Sequence, residues 1–225
     1  MTAEAFVDEL ARVRLAAVFN PYSEQCETYD TAASAEQRRA NLCAVVRAAW
    51  AHPDGVMWVA RDLGHRGGRR TGLPLTDELH LADFSAAWGG LPVRKATAGP
   101  PMGERTAGVI WAMLRRVPEP VFLWNLFPLH PHPDGEPLGN RAHTAAERRV
   151  GQAFISALLS TLRPRMVVAI GGDAATALAG MAVPHLRVRH PSYGGHRDFC
   201  AGITAAHGLQ PELGSLFSRP RPALD

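Results

Sequence analysis

The sequence predicts an α/β fold, one three-layer domain in which helices cover both faces of a mainly parallel, four-stranded sheet. Three observations predict it. Short apolar runs recur along the chain, stretches with helical periodicity separate them, and loops rich in Gly, Pro and polar residues follow the runs. With 225 residues and 46% hydrophobic content, the chain suits a single core, so the domain is expected to span residues 1–225.

In chain order, Ala35 to Ala51 has apolar residues at Leu42, Val45, Val46 and Trp50, the spacing of a helix with one buried face. Val56 to Ala60 (VMWVA) is the first buried strand. Arg105 to Arg116 is again helical, and Val121 to Leu126 (VFLWNL) is the second strand. A third helix covers Thr144 to Leu162, with Thr144 and Glu147 spaced as a capping box. Met166 to Ile170 (MVVAI) is the third strand and Leu186 to Arg189 (LRVR) a shorter fourth. Between them, Ile170 to Gly180 (IGGDAATALAG) could open a helix around a phosphate. It lacks a full GxGxxG and a Walker lysine, so it reads as tight strand-to-helix packing. The last stretch, from about Ser218, is expected to be a loose tail.

The charge is nearly balanced, 24 Lys and Arg against 21 Asp and Glu, which excludes a polybasic, histone-like protein. Lys95 is the one lysine, and the arginines that supply the remaining cations bind phosphate as planar forks. Cys26, Cys43 and Cys200 form no CxxC pair, which argues against a disulfide framework, a zinc ribbon or an iron–sulfur cluster. No apolar run approaches the roughly 20 residues of a membrane span, and the acidic start (Glu4, Asp8, Glu9) is unlike a signal peptide. A cytoplasmic monomer without membrane contact is expected.

In such sheets ligands collect beyond the carboxyl ends of the strands. Asp62 follows the first strand, Asn125 ends the second, and His190 follows the fourth. An acid, an amide and an imidazole thus come from three strand ends that one site can gather. The first loop, Ala60 to Glu78, reads ARDLG and then GLPLT. The second strand leads into WNLFPLHPH, and the last loop reads HPS at His190 to Ser192 and HRDF at His196 to Phe199.

From about Val56 to Phe199, this order of fragments resembles the uracil-DNA glycosylase superfamily. The best-known members have GQDPY followed by GLAFS, an asparagine strand, then HPS and HRGF. The resemblance implies DNA containing uracil as partner, extrusion of the base from the stack, hydrolysis of its bond to the sugar, and no metal or organic cofactor. It assigns Asp62 to orienting water and offsetting charge on the sugar, and His190 to donating to uracil O2 as the base departs. Asn125 would accept from uracil N3–H and donate to O4, a pattern that cytosine reverses. Thr76 and Ser192 fall where members grip phosphates. A monofunctional reaction is implied, since no lysine lies near the motifs to form a Schiff base.

The departures from the pattern are specific. Gly64 stands where many members have the tyrosine that excludes thymine's methyl, and Leu75 where a phenylalanine stacks on uracil; Phe127 is a candidate to take over that stacking. HPSYGG lacks the wedge leucine, leaving Tyr193 or Arg197 to fill the gap in the duplex. The run HRGGRR brings Arg66, Arg69 and Arg70 beside the site for phosphate contacts, or is a solvated charged loop.

Structural readings stand beside these: Asp62 as a turn cap, Asn125 as a partner of backbone groups, His190 as a turn histidine. His130, His132, His143 and His190 could instead hold zinc, although the prolines of HPHP restrict that pair and no carboxylate has the spacing to complete a set. Two other functions remain open, a non-catalytic binder of uracil-containing or abasic DNA, and a glycosylase for other deaminated bases such as hypoxanthine.

Overall fold

The computed structural model describes residues 1–210. The tail expected from about residue 218 lies outside them. Helix α1 (Ala3–Arg12) precedes β1 (Val18–Phe19), and α2 (Ser34–Ala51) leads into β2 (Val56–Asp62). The single turn α3 (Gly68–Thr71), a 3-10 turn at Glu78–His80 and α4 (Leu81–Ala87) follow. Then come α5 (Arg105–Leu114), β3 (Val121–Phe127), β4 (His130–Pro131), α6 (Ala145–Leu162), β5 (Met166–Ile170), α7 (Gly172–Gly180), β6 (Leu186–Val188) and α8 (His196–Ala206).

The main sheet has the order β3-β2-β5-β6, and each neighbouring pair is parallel. The α/β class and the parallel four-stranded sheet are therefore as the sequence predicts. Alternation along the strands sends side chains to opposite faces. On one face Trp124 meets Phe6 of α1 at 5.7 Å between ring centroids, and Phe6 in turn meets Phe154 of α6 at 5.7 Å. On the other, Trp58 packs edge-on against Phe199 of α8 at 6.2 Å and donates to His207 Nε2 at 3.1 Å.

Local chemistry explains the boundaries. Thr144 caps α6, with its hydroxyl accepting from Glu147 N–H and the Glu147 carboxylate accepting from Thr144 N–H, the reciprocal box that the sequence predicts. Helix α6 lies so close to β3 that a Cβ at Gly151 would fall 2.0 Å from the Leu126 carbonyl oxygen. The first strand extends two residues beyond the predicted Ala60, so Asp62 is its last residue rather than part of the following loop. Its pairing with Phe127 explains the extension.

A second, two-stranded ribbon was not foreseen. Strand β1 pairs antiparallel with β4, Val18 opposite Pro131 and Phe19 opposite His130. It ties the start of the chain to the segment that leaves β3. The Gly-rich turn after β5 opens α7 at Gly171 (φ 93°) and lies between β5 and β6, where Gly171 N–H donates to the Val188 carbonyl at 2.8 Å.

Candidate active site

At the carboxyl ends of β2, β5 and β6 lies a cavity of about 380 Å3. Asp62, Gly64, Leu75, His190, Ser192 and Tyr193 all line it, together with Arg61, Glu104, Asn140, Arg141 and Asp173. Two strand ends and a loop thus bring the acid and the imidazole to one place, as the α/β architecture allows.

Asp62 is held by two donors. Arg61 Nε donates to Oδ2 at 2.6 Å, and His143 Nδ1 donates to Oδ1. Arg61 also reaches Asp173 at 3.0 Å, so a chain of alternating charges links three of the cavity's lining residues. A carboxylate with both oxygens tethered is aimed before any ligand arrives.

His190 is fixed differently. Ser192 N–H donates to its Nδ1 at 3.2 Å, and Ser192 Oγ lies 2.7 Å from the same nitrogen. A ring nitrogen that accepts carries no proton, so the neutral imidazole holds its proton on Nε2. Burial and the nearby Arg61 cation push the His190 pKa down, which keeps the ring neutral near pH 7. The Ser192 hydroxyl orients this histidine; the sequence had assigned it to phosphate.

Asn125 does not itself line the open cavity. It is fully buried, and neither its side-chain oxygen nor its nitrogen has a hydrogen-bond partner among the described residues. It stands in register with Ala60, which lines the cavity, and so shares that face of the sheet. A buried amide left wholly unpaired costs about 1–3 kcal/mol, so its presence calls for a reason other than stability.

Several expectations are corrected. Arg69 and Arg70 are buried and committed to the protein, not to phosphate. Arg69 donates to Tyr29 Oη at 2.6 Å and to the Pro137 carbonyl at 2.7 Å, lies 2.9 Å from His130 Nδ1, and sits over the Phe19 ring at 3.7 Å. Arg70 pairs with Glu78 at 3.1 Å and lies over Tyr29 at 4.0 Å. Arg66 alone of the three is exposed. Thr76 is buried, its hydroxyl donating to the Pro74 carbonyl at 3.0 Å, and cannot grip a phosphate. Phe127 is buried with its ring 6.0 Å from His143, so it backs that histidine rather than stacking on a base. Among the two wedge candidates, Tyr193 is 97% exposed at the cavity mouth with φ 50°, and Arg197 is exposed on the first turn of α8.

The four histidines weighed as zinc ligands have separate partners. His130 accepts from Arg69 at Nδ1 and faces Asn140 Oδ1 with Nε2 at 3.1 Å. Burial and Arg69 push it down to about 3. His132 bonds the Pro133 carbonyl, His143 holds Asp62, and His190 is held by Ser192.

The sequence reading missed Glu104, and it named His143 only as a possible zinc ligand and not as the partner of Asp62. Gly64 leaves no open space, because a Cβ there would fall 2.7 Å from Glu104 Oε1, and one at Gly67 would fall 2.0 Å from Oε2. Burial and the Asp77 carboxylate push the Glu104 pKa up to about 7, with Arg66 pulling the other way. Leu75 sits at the wall in the left-handed region, φ 56°, which a side chain adopts only at a cost.

The model of the uracil DNA glycosylase superfamily matches residues 51–205, which span the cavity and the whole main sheet. The crystal structure of wild-type Pedobacter heparinus SMUG2 is similar to this chain with a TM-score of 0.58 and 15% identity, covering 91% of this chain and 97% of that one. That likeness is one of fold. No curated protein matches the sequence.

Proposed function

The chain belongs to the uracil DNA glycosylase superfamily, and from that premise we propose that it is a DNA glycosylase that extrudes uracil and hydrolyses its bond to the sugar. The C1′–N1 bond breaks with its electron pair leaving on uracil, and water adds its oxygen to C1′ while the proton it loses passes through solvent to the uracil anion, so that an abasic site and free base result. Asp62 orients that water and offsets positive charge on the sugar. His190 donates from Nε2 to uracil O2, where negative charge gathers as the bond lengthens.

The observation that carries this reading is Asn125. An amide with both ends unpaired, sealed beside a cavity that already holds a tethered acid and a neutral imidazole donor, suits a base that offers one N–H and one carbonyl. Such pairing rejects cytosine, whose edge is reversed, and can be worth about 10⁴-fold in discrimination. Lys95, bonded to the Ala98 carbonyl at 3.2 Å and 3.9 Å from Glu78, is not among the cavity residues, which favours a monofunctional reaction. Tyr193 and Arg197 fill the vacated stack, and Arg66 meets phosphate. On this reading the protein acts as a cytoplasmic monomer, with the described residues as one domain.

The test is incubation with labelled duplexes containing U·G, U·A, T·G or hypoxanthine, followed by alkali to cut abasic sites. Strand scission at uracil supports the proposal. Tight binding without scission favours a non-catalytic binder, and scission at hypoxanthine alone favours the broader deaminated-base reading.

A further inference from the structure

In the cavity that it shares with His190, Glu104 supplies a carboxyl that the reaction as written does not use. It stands one residue before α5, with its oxygens against the Cα atoms of Gly64 and Gly67, in the space that a side chain at either position would need. Its backbone N–H is engaged, donating to Asp77 Oδ2 at 2.6 Å, whereas its carboxyl has no hydrogen bond among the described residues. Asp77 cannot serve it, since the other Asp77 oxygen takes His80 N–H at 3.1 Å and His80 Nδ1 at 2.6 Å. A half-buried carboxyl without a partner, on the wall of a cavity that it shares with Asp62 and His190, is positioned for a ligand.

We propose that Glu104 is a second catalytic donor, acting as the neutral acid whose O–H bonds the exocyclic carbonyl of the departing base on the side away from His190. This rests on the glycosylase reading above. The charge argument decides the protonation state. Cleavage leaves negative charge on the base, so an ionised carboxylate beside it would oppose the reaction, whereas a neutral O–H stabilises it. The donor suits bases with a carbonyl where the parent base has an amine, namely uracil and hypoxanthine, the products of deamination.

The groups facing Glu104 set its titration. Asp77, at the head of the 3-10 turn, disfavours ionisation, and Arg66 in the loop after β2 favours it. Around the same cavity stand Arg61, Asp62, Arg141, Asp173 and the neutral His190. With burial the largest influence, Glu104 loses its proton near pH 7, and activity should fall as the pH rises through that value.

Single-turnover excision of uracil and hypoxanthine from pH 6 to 9 tests this. In the wild type the rate should fall about tenfold per pH unit above about 7. Glu104→Gln keeps an N–H donor that does not titrate; it should be about fivefold slower at pH 6, level to pH 9, and faster than wild type there. Glu104→Ala should be about 10²-fold slower than wild type at pH 6 and level from there, so that the two converge by pH 9. A wild-type profile without this alkaline limb, or a limb that survives in Glu104→Gln, overturns the proposal and leaves the glycosylase reading intact. If no base is released at all, that reading fails separately, and Glu104 is judged by binding of DNA carrying hydrolysis-resistant 2′-fluoro-2′-deoxyuridine. Preference for this DNA over an abasic analogue that weakens from pH 6 to 8 in wild type but not in Glu104→Gln supports the contact; no such preference, or equal weakening in both, overturns it.

Discussion

The loop that leaves β2 has two halves with opposite habits. From Arg61 and Asp62, the strand's last residues, to Gly64 the segment lines the cavity, and from Gly67 to Thr76 it is buried except for Leu75, touching the cavity wall only at Gly68 and Leu75. In the inner half the polar side chains are saturated: Arg69 has three polar partners and a ring beneath it, Arg70 has Glu78 and Thr97, and the Thr71 hydroxyl donates to the Thr76 carbonyl at 2.9 Å. On the cavity wall the Glu104 carboxyl, and beside it the sealed Asn125 amide, have no polar partner among the described residues. Complete pairing holds a shape, and incomplete pairing awaits a ligand. The same residue type, arginine, serves both ends of one short segment, and only its neighbours decide which.

Four substitutions can break or sharpen this division. Asp62→Asn should lower single-turnover excision by about 10³-fold while the melting temperature stays nearly unchanged; a large loss of stability would move Asp62 to the structural side. Arg70→Ala should cost about 3 kcal/mol in denaturant unfolding, because it leaves the buried Glu78 carboxylate without its guanidinium. An unfolding midpoint like that of wild type would refute the assignment of the inner half to scaffolding. Asn125→Leu should do the reverse, raising stability by about 1 kcal/mol by removing an unpaired buried amide, and lowering uracil excision by about 10²-fold. Loss of both stability and activity would mean that Asn125 has a structural partner after all. The smallest effect is expected from Arg66→Ala: about tenfold weaker DNA binding at low salt, a shallower salt dependence, and unchanged melting.

Much of the architecture was legible because it depends on local signals. The runs VMWVA, VFLWNL and MVVAI are apolar enough to be buried on both faces, and Thr144 with Glu147 announces its own helix start. Asp62 and His190 could be placed because strand ends in parallel sheets point to one edge. What stayed hidden depends on distant partners. Arg69 and Arg70 sit in a charged run that reads as phosphate-binding or solvated, and their burial requires Phe19, Tyr29 and Glu78 from other segments. His143 meets Asp62 from 81 residues away. Glu104 follows PPMG, a stretch with no periodicity and no motif, and only the folded chain shows that it fills the room left by Gly64 and Gly67.

The contact at Gly151 has a mechanical consequence. Because α6 rests on the backbone of β3 with no side chain as a cushion, the strand tip bearing Asn125 has a hard backstop. A nucleobase pressed in from the opposite face cannot be accommodated by the strand giving way. On the proposed reading misfitting bases are refused by stiffness, and enlarging the substrate range by mutation should succeed on the loop walls before it succeeds on this strand.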